Sequence, residues 1–536
     1  MKFSISIDGT QVEVSPGQSV LSAARSIGLD IPTLCYLEKC GPMNSCLVCL
    51  VQINGKLVPS CGTRVEPGMV VQSETQEVHE ARRTALELLF SDHVGDCLSP
   101  CHRLCPLGLN IPVMLRQIQS GQVDEAILTM RSAIPLGGVL GRLCHHPCEQ
   151  GCRRGNWDSP AAIRDMEKHV SDVDRSRAGD PRKSPYVPPR KAATGRTAAI
   201  IGAGPAGLAA AWYLARHGHA VTLFDRNDTA GGTLRQVPEE VLPPEVLAAE
   251  IVLLTRFGVE LKLGVALGNQ VTLDGLAQSF DAILLTVGEV PPGQSASLGV
   301  PVSGSLISAD PNTCQTALPR VFAAGSAVKP AKQLVRAMAD GRAAAECMHR
   351  FLSGQPARRP EKTFSSVMGR LSPGELRDFL RTTSEGARVS PCDRCAGHTR
   401  QEAIVEAARC MHCDCRSSGD CVLQHYAQAY GADANRFRAE RRVFEQQLQP
   451  GGVVFEPGKC ILCGICVKLT EMASEPLGLT FIGRGFEVRV ATPFNQSIQD
   501  GLQKVAEECV KHCPTGALSF LEKTSHVQMG AAPPSP

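Results

Sequence analysis

The sequence predicts a multidomain chain of α/β and α+β modules, and three observations carry that prediction. Five stretches hold cysteines at short, irregular spacings and use all but Cys40, Cys314, Cys347 and Cys509 of the 24 cysteines. A central stretch, 197–225, reads as strand, glycine turn, helix and strand. With 536 residues and 43% hydrophobic content, the chain can also bury several packed cores. Spacings of this kind suit iron-sulfur clusters. A secreted disulfide framework is the rival, but a chain of this size needs no staples, and Met1 opens directly into strand-like alternation.

Charge narrows the class further. Lys plus Arg (55) barely exceeds Asp plus Glu (53), which leaves no field for nucleic acid or an anionic membrane. The longest apolar run, 198–212, is too short and glycine-interrupted to span a bilayer. These features predict a cytoplasmic chain whose reduced thiols can ligate metal and whose partners are proteins and redox cofactors.

Residues 1–78 are expected to form the first domain. Alternation over 2–8, a turn at Asp8-Gly9 and alternation over 11–14 predict a hairpin, followed by a helix over 19–27. Cys35, Cys46, Cys49 and Cys61 follow, with ten, two and eleven residues between them. This order resembles the plant-type, β-grasp [2Fe-2S] ferredoxin, and more closely the ferredoxin domain that opens the large iron-sulfur subunit of complex I and iron-only hydrogenases. The resemblance implies that these four thiolates hold a [2Fe-2S] cluster while loop 41–45 offers backbone N-H groups to it. Cys40 reads as a buried small hydrophobe.

Residues 79–170 are expected to form a helical domain, led by a helix over 77–90. The step from His93 to Cys97 resembles the start of the one-histidine, three-cysteine cluster of complex I. The following pattern, Cys97, Cys101, Cys105-Pro106 and Asn110-Ile-Pro112, then Cys144, Cys148, Cys152 and Arg153-Arg154-Gly155, resembles the two-cluster helical domain of the glutamate synthase small subunit and dihydropyrimidine dehydrogenase. That resemblance implies one [4Fe-4S] cluster on Cys105, Cys144, Cys148 and Cys152. Cys97 and Cys101 would then need two further ligands. His93 and Glu167 are both candidates, beside the ordinary reading of each as a capping or surface residue.

A Pro-, Arg- and Ser-rich linker, 171–197, precedes a dinucleotide domain over 198–355. Gly202, Gly204 and Gly207 let the backbone approach a pyrophosphate at a helix N-terminus, and Asp225 ends the second strand where a ribose hydroxyl would bind. Later segments carry Gly231-Gly232, Thr286-Val-Gly288 and Ala323-Ala-Gly325. They resemble the flavin-binding segments of the glutamate synthase small subunit, which implies FAD on Gly202, Gly204, Gly207, Asp225, Gly232, Gly288 and Gly325. Two departures stand out. The stretch 289–320 has no second glycine fingerprint and is too short for a nucleotide-binding insert, so the fold is read as Rossmann-like without an NAD(P)H domain. Ser326 also stands where the family usually has an aspartate, and a vestigial flavin domain is the bland alternative.

Residues 356–445 are read as a polar connector and a cysteine-rich segment carrying Cys392, Cys395, Cys410, Cys413, Cys415 and Cys421. The passage from Glu402 to Cys413 resembles the half-motif missing from the helical domain, and Cys421-Val-Leu-Gln424 resembles the end of the complex I one-histidine loop. Either four of the six hold a local cluster, or Cys410 and Cys413 complete the site of Cys97 and Cys101; four-cysteine zinc is the plain alternative. The basic run 436–442 reads as a solvated helix face.

In the last domain, 446–523, Cys460, Cys463 and Cys466 precede a distant Cys513-Pro514. This resembles a bacterial-type ferredoxin and implies one more [4Fe-4S] cluster, leaving Cys509 unassigned. The tail 524–536 reads as disordered. Together the resemblances imply an electron-transfer subunit of an oxidoreductase complex carrying [2Fe-2S], three or more [4Fe-4S] clusters and FAD. Its partner would be a separate NADH-binding, formate dehydrogenase-like or hydrogenase-like subunit. A self-sufficient NAD(P)H-dependent oxidoreductase and a noncatalytic metal-binding scaffold are the alternatives. No hydrolytic constellation stands out.

Overall fold

Alternating side chains at the N-terminus form the hairpin Phe3–Ile7 and Thr10–Val14. Its turn uses left-handed Asp8 and Gly9 (φ 48° and 82°), the conformation that matches the twist of a two-residue hairpin. The computed structural model describes residues 2–177, 188–290, 298–393 and 396–521. It divides into two compact units, one built from 1–99, 363–381 and 413–536 and the other from 100–362 and 382–412.

In the first unit the hairpin extends to a five-stranded sheet through Val70–Gln72, which pairs parallel to Phe3–Ile7, then Leu50–Ile53 and Lys56–Pro59. Ser19 caps the helix Val20–Ser26 by accepting the Ser22 N-H, and the helix buries Val20, Leu21, Ala23 and Ala24 with Ile5, Ile7 and Val51. Thr75 caps the next helix, Gln76–Phe90. The C-terminal part of this unit is a small sheet, Val453–Phe455 between Gln447–Leu448 and Leu518–Phe520, with the helices Ile465–Met472 and Ala506–Lys511.

Two stretches of this unit differ from expectation. The connector holds the helix Pro373–Leu380, because Ser372 and Glu375 form a reciprocal capping box at its start. The basic run 436–442 forms no helix, since its arginines find separate carboxylates: Arg436 pairs with Glu87 at 2.8 Å, Arg441 with Glu375, and Arg442 with Asp92 at 2.6 Å.

In the second unit short helices from Pro100–Leu104 to Ile163–Ser176 lead into a parallel sheet. Its strand order is Val259–Leu263, Ala220–Asp225, Thr197–Ile201, Ala282–Leu285 and Val321–Ala323. The all-apolar burial of the central strands is what a sheet covered on both faces requires. Buried Arg131 ties the helical part to the sheet part, reaching Asp174 at 3.0 Å and Glu250 at 2.6 Å. The stretch read as a linker therefore begins inside a helix, with Ser171 and Asp174 buried, while 178–187 lie outside the described residues. Between Leu285 and Val321 the described residues contain a two-stranded hairpin, Val302–Ser303 with Leu306–Ile307. The tail 524–536 is outside the described residues.

Candidate cluster and dinucleotide sites

The described cysteines form no disulfide. Among the described residues, no three His, Cys, Asp or Glu side chains converge closely enough to hold a single metal ion.

Cys35, Cys46, Cys49 and Cys61 are all buried beside the N-terminal sheet, with the Cys49 and Cys61 sulfurs 3.4 Å apart. The Cys46 and Cys61 thiols, followed by the Cys46 and Ser45 backbone N-H groups, hold the Cys35 thiol well below its ordinary range. A sulfur that collects such donors is prepared to act as a thiolate ligand. Left-handed backbone at Asn44 and Leu47 turns the loop around this site. Cys40 stays outside it, 3.9 Å from the Met472 sulfur.

The C-terminal set lies in the same unit. Left-handed Leu462 and Gly464 fold the Cys460–Cys463 loop onto the start of the helix Ile465–Met472, and Cys463, Cys460, Cys466 and Cys513 share one core. Burial, then Cys513, Cys460 and Cys35, push the Cys463 thiol up. A Cβ on Gly464 would stand 3.5 Å from the Met43 side chain, so the two cysteine loops touch. Cys509 packs against this set, its sulfur 3.9 Å from the Cys466 carbonyl.

A third site joins two distant parts of the sequence. A small cavity is lined by His93, Cys97, Cys415 and Cys421, with Phe90, Asp96, Lys459 and Thr515 among its walls. The Cys415 N-H donates to the Cys97 carbonyl at 3.3 Å. The Cys421 sulfur caps the helix Val422–Ala429 by accepting the Gln424 N-H at 3.4 Å and lies 3.6 Å from the Pro514 carbonyl. Burial, followed by Lys459, lowers the pKa of His93 to about 3, so its ring is neutral and able to offer a lone pair. The half-loop ending at Cys97 thus meets the half-loop from Cys415 to Cys421.

The second unit holds a small cavity lined by Cys105, Cys144, Cys148 and Glu167, with Leu107, Leu140 and Val335. Beside these three cysteines Glu167 lines the cavity, while Cys152, the fourth cysteine of the expected set, is not among its walls. The cause is helical geometry: the helix Ile163–Ser176 turns Glu167 inward beside buried Met166 and Val170. Burial, then the nearby Glu149 carboxylate, raise Glu167 to about 8. Burial and Glu167 likewise raise Cys105 to about 11 and Cys144 to about 12. Cys101 and Cys410 are buried in the large core of this unit, against which Cys152 packs, and Arg154 donates to the Arg409 carbonyl at 3.2 Å.

The described cysteines of 392–421 fall in different surroundings. Cys392 is exposed and bonded to Glu402 at 3.2 Å, Cys410 joins the second unit, and Cys413, Cys415 and Cys421 belong to the first. Cys395 lies outside the described residues. Cys314 and Cys347 pack together at 3.8 Å.

At the dinucleotide turn, a side chain on Gly202 would strike the Thr286 carbonyl and one on Gly207 the Gly202 carbonyl, so neither can carry a Cβ. Gly204 differs, since a Cβ there meets nothing within 4 Å. That open space lies before the helix Pro205–Arg216, which has no side-chain cap, and it fits a pyrophosphate. Gly232 packs on Gly204, Gly325 on Ala206, and Gly288 takes left-handed φ 77°. Asp225 braces the turn: its carboxylate accepts the Ala203 N-H at 2.6 Å and the Asn227 N-H at 2.8 Å.

Comparison with known proteins identifies three modules. Residues 1–76 match a 2Fe-2S iron-sulfur cluster binding domain, 64–178 match dihydropyrimidine dehydrogenase domain II with its 4Fe-4S cluster, and 200–248 match an NAD(P)-binding Rossmann-like domain. The chain is 39% identical over 207 residues to the NADP(+)-dependent formate dehydrogenase subunit beta of Moorella thermoacetica, covering 35% of this chain and 29% of that protein. It is 37% identical over 195 residues to the glutamate synthase [NADPH] small chain of Mycobacterium tuberculosis, covering 36% and 39%. Against the NAD-dependent dihydropyrimidine dehydrogenase subunit PreT of Escherichia coli it is 35% identical over 208 residues, covering 38% and 49%. The chain spans less than half the length of each of these relatives. It is a mosaic of iron-sulfur and Rossmann-like dinucleotide modules, with a [2Fe-2S] domain ahead of a central part that resembles the glutamate synthase small chain and dihydropyrimidine dehydrogenase subunits.

Proposed function

We propose that the chain is a cytoplasmic iron-sulfur flavoprotein, an electron-transfer subunit that relays electrons between a partner subunit and iron-sulfur carriers. The observation that carries this reading is the succession of touching cysteine sites in the first unit. Met43 of the [2Fe-2S] loop meets Gly464 of the C-terminal loop, and the Cys421 sulfur meets the carbonyl of Pro514, the residue after Cys513. Bound at such sites, clusters supply single-electron steps and FAD supplies exchange between one- and two-electron steps.

The chain's own residues bind, orient and exclude water. Cys35, Cys46, Cys49 and Cys61 would hold the [2Fe-2S] cluster; Cys460, Cys463, Cys466 and Cys513 would hold one [4Fe-4S] cluster, and His93, Cys97, Cys415 and Cys421 another. In the second unit Cys105, Cys144, Cys148 and Glu167 would hold a further cluster, while Cys101, Cys152 and Cys410 would serve a neighbouring one. Gly202, Gly204, Gly207, Asp225, Gly232, Gly288 and Gly325 would shape the FAD site, where Asp225 orders the pyrophosphate turn. Val335 lines the Glu167 cavity and lies on the helix Leu334–Leu352 that packs on the pyrophosphate helix, which would bring that cluster beside the flavin domain.

The electron donor is proposed to be a separate subunit of NADH-binding, formate dehydrogenase-like or hydrogenase-like type. The short hairpin between Leu285 and Val321, in place of a second nucleotide domain, supports this. The first test is analysis of iron, acid-labile sulfide and flavin in the anaerobically purified chain. The reading expects both [2Fe-2S] and [4Fe-4S] signals in electron paramagnetic resonance and one flavin per chain. Zinc in place of iron, or absence of flavin, would return the chain to the scaffold class. Because Gly204 has open space, Gly204→Val should fold with its clusters intact yet lose the flavin. Stoichiometric flavin in that variant would overturn the placement of the dinucleotide site.

A further inference from the structure

Lys459 precedes Cys460 in the C-terminal cysteine loop, yet its side chain lines the separate cavity of His93, Cys97, Cys415 and Cys421. The lysine is almost wholly buried, as is Glu456, with which it pairs at 2.5 Å. Glu456 also faces Arg416 at 3.7 Å and Gln446 at 3.1 Å. A Cβ on Gly95 would stand 2.8 Å from the Lys459 Cε, so the stem of the lysine packs against the His93–Cys97 turn. A buried ammonium costs free energy unless something repays it. The ion pair with Glu456 repays part, and an anionic cluster would repay the rest.

Charged groups at and beside this cavity include Lys459, Arg416, Glu456 and Asp96. Removing Lys459 takes one buried positive charge from the walls, which opposes addition of an electron. We propose that Lys459 is a charge-setting positioning residue of the His93–Cys97–Cys415–Cys421 site, raising the reduction potential of the cluster bound there. The proposal rests on the reading of that site as a cluster site. One residue of the C-terminal loop would thereby tune its neighbour's cluster, making the adjoining site the better electron acceptor.

The test is potentiometric titration of the cluster-loaded full chain followed by electron paramagnetic resonance. Cys97→Ser first identifies the signal belonging to this site. In Lys459→Met, the midpoint of that signal should move to more negative potential, with its reduced fraction falling roughly tenfold or more relative to the oxidised one at a fixed potential. Iron content and the [2Fe-2S] midpoint should stay as in the wild type, and Lys459→Arg should restore the original midpoint. Should Lys459→Met lose iron, Lys459→Gln is read in the same way. An unchanged midpoint in the neutral variants would overturn the proposal, as would equal shifts of all clusters without rescue by arginine. If Cys97→Ser removes no signal, the cluster reading of the cavity itself fails, whatever the lysine does.

Discussion

Cys421 has two tasks that a substitution can separate. Its sulfur faces the shared cavity, and it also accepts the Gln424 N-H as the cap of the helix Val422–Ala429. Serine is among the best capping residues. Cys421→Ser should therefore keep the helix and remove one [4Fe-4S] signal while the [2Fe-2S] signal remains; paramagnetic resonance of the dithionite-reduced protein checks it. Retention of every signal would show that Cys421 is not a ligand, and loss of every signal would show that the sites are not modular. Residue identity in the first domain was legible because four cysteines follow a hairpin and helix in one order. Glu167 and Cys152 both follow Cys148, and sequence spacing does not show which of them reaches the cavity; the helix Ile163–Ser176 turns Glu167 into it. Lys459 was missed altogether, because its sequence neighbour Cys460 belongs to one site and its side chain to another.

At the scale of elements, the helix Pro373–Leu380 shows how polar side chains order a segment that composition describes as a connector. Glu375 accepts the Ser372 N-H at 2.8 Å and the Phe444 N-H at 2.7 Å, and it pairs with Arg441. Burial alone would raise its pKa, but Arg441 and these amides bring it down from 4.5 to about 2. A depressed carboxylate contributes stability that is present above its unfolded pKa and lost as pH falls toward the folded one. Above roughly pH 6 the contribution is therefore complete and constant. Glu375→Gln should cost the helix roughly 1 to 3 kcal/mol, read as faster hydrogen exchange of its amides relative to wild type. The ratio should be flat from about pH 6 to 9; a ratio that varies across that range would contradict the assignment. The same carboxylates explain why the run 436–442 is no solvated helix face. Its arginines reach Glu87, Glu375 and Asp92, contacts made across long stretches of sequence that a local charge pattern cannot reveal.

For the whole molecule, the arrangement is an insertion. The chain leaves the first unit after Ser99 and returns to it for 363–381 and from Cys413 onward, so the helical and dinucleotide parts interrupt the loop whose two ends carry Cys97 and Cys415. Both ends were recognisable in the sequence as halves of one motif. Their union was not, because hundreds of residues lie between them and a nearer cysteine, Cys101, offered itself as a partner. The parallel sheet was legible from its glycine turn and buried strands, and so was the shortness of the segment where a second nucleotide domain would stand. That shortness bears on the central claim, that the chain relays electrons delivered by a partner. The direct test is to mix the cluster-loaded chain anaerobically with NADH, then with NADPH, and follow the flavin and cluster absorbance. The account predicts no bleaching by either nucleotide and full bleaching by dithionite. Rapid bleaching by NADH or NADPH alone would contradict it and make the chain a self-sufficient oxidoreductase.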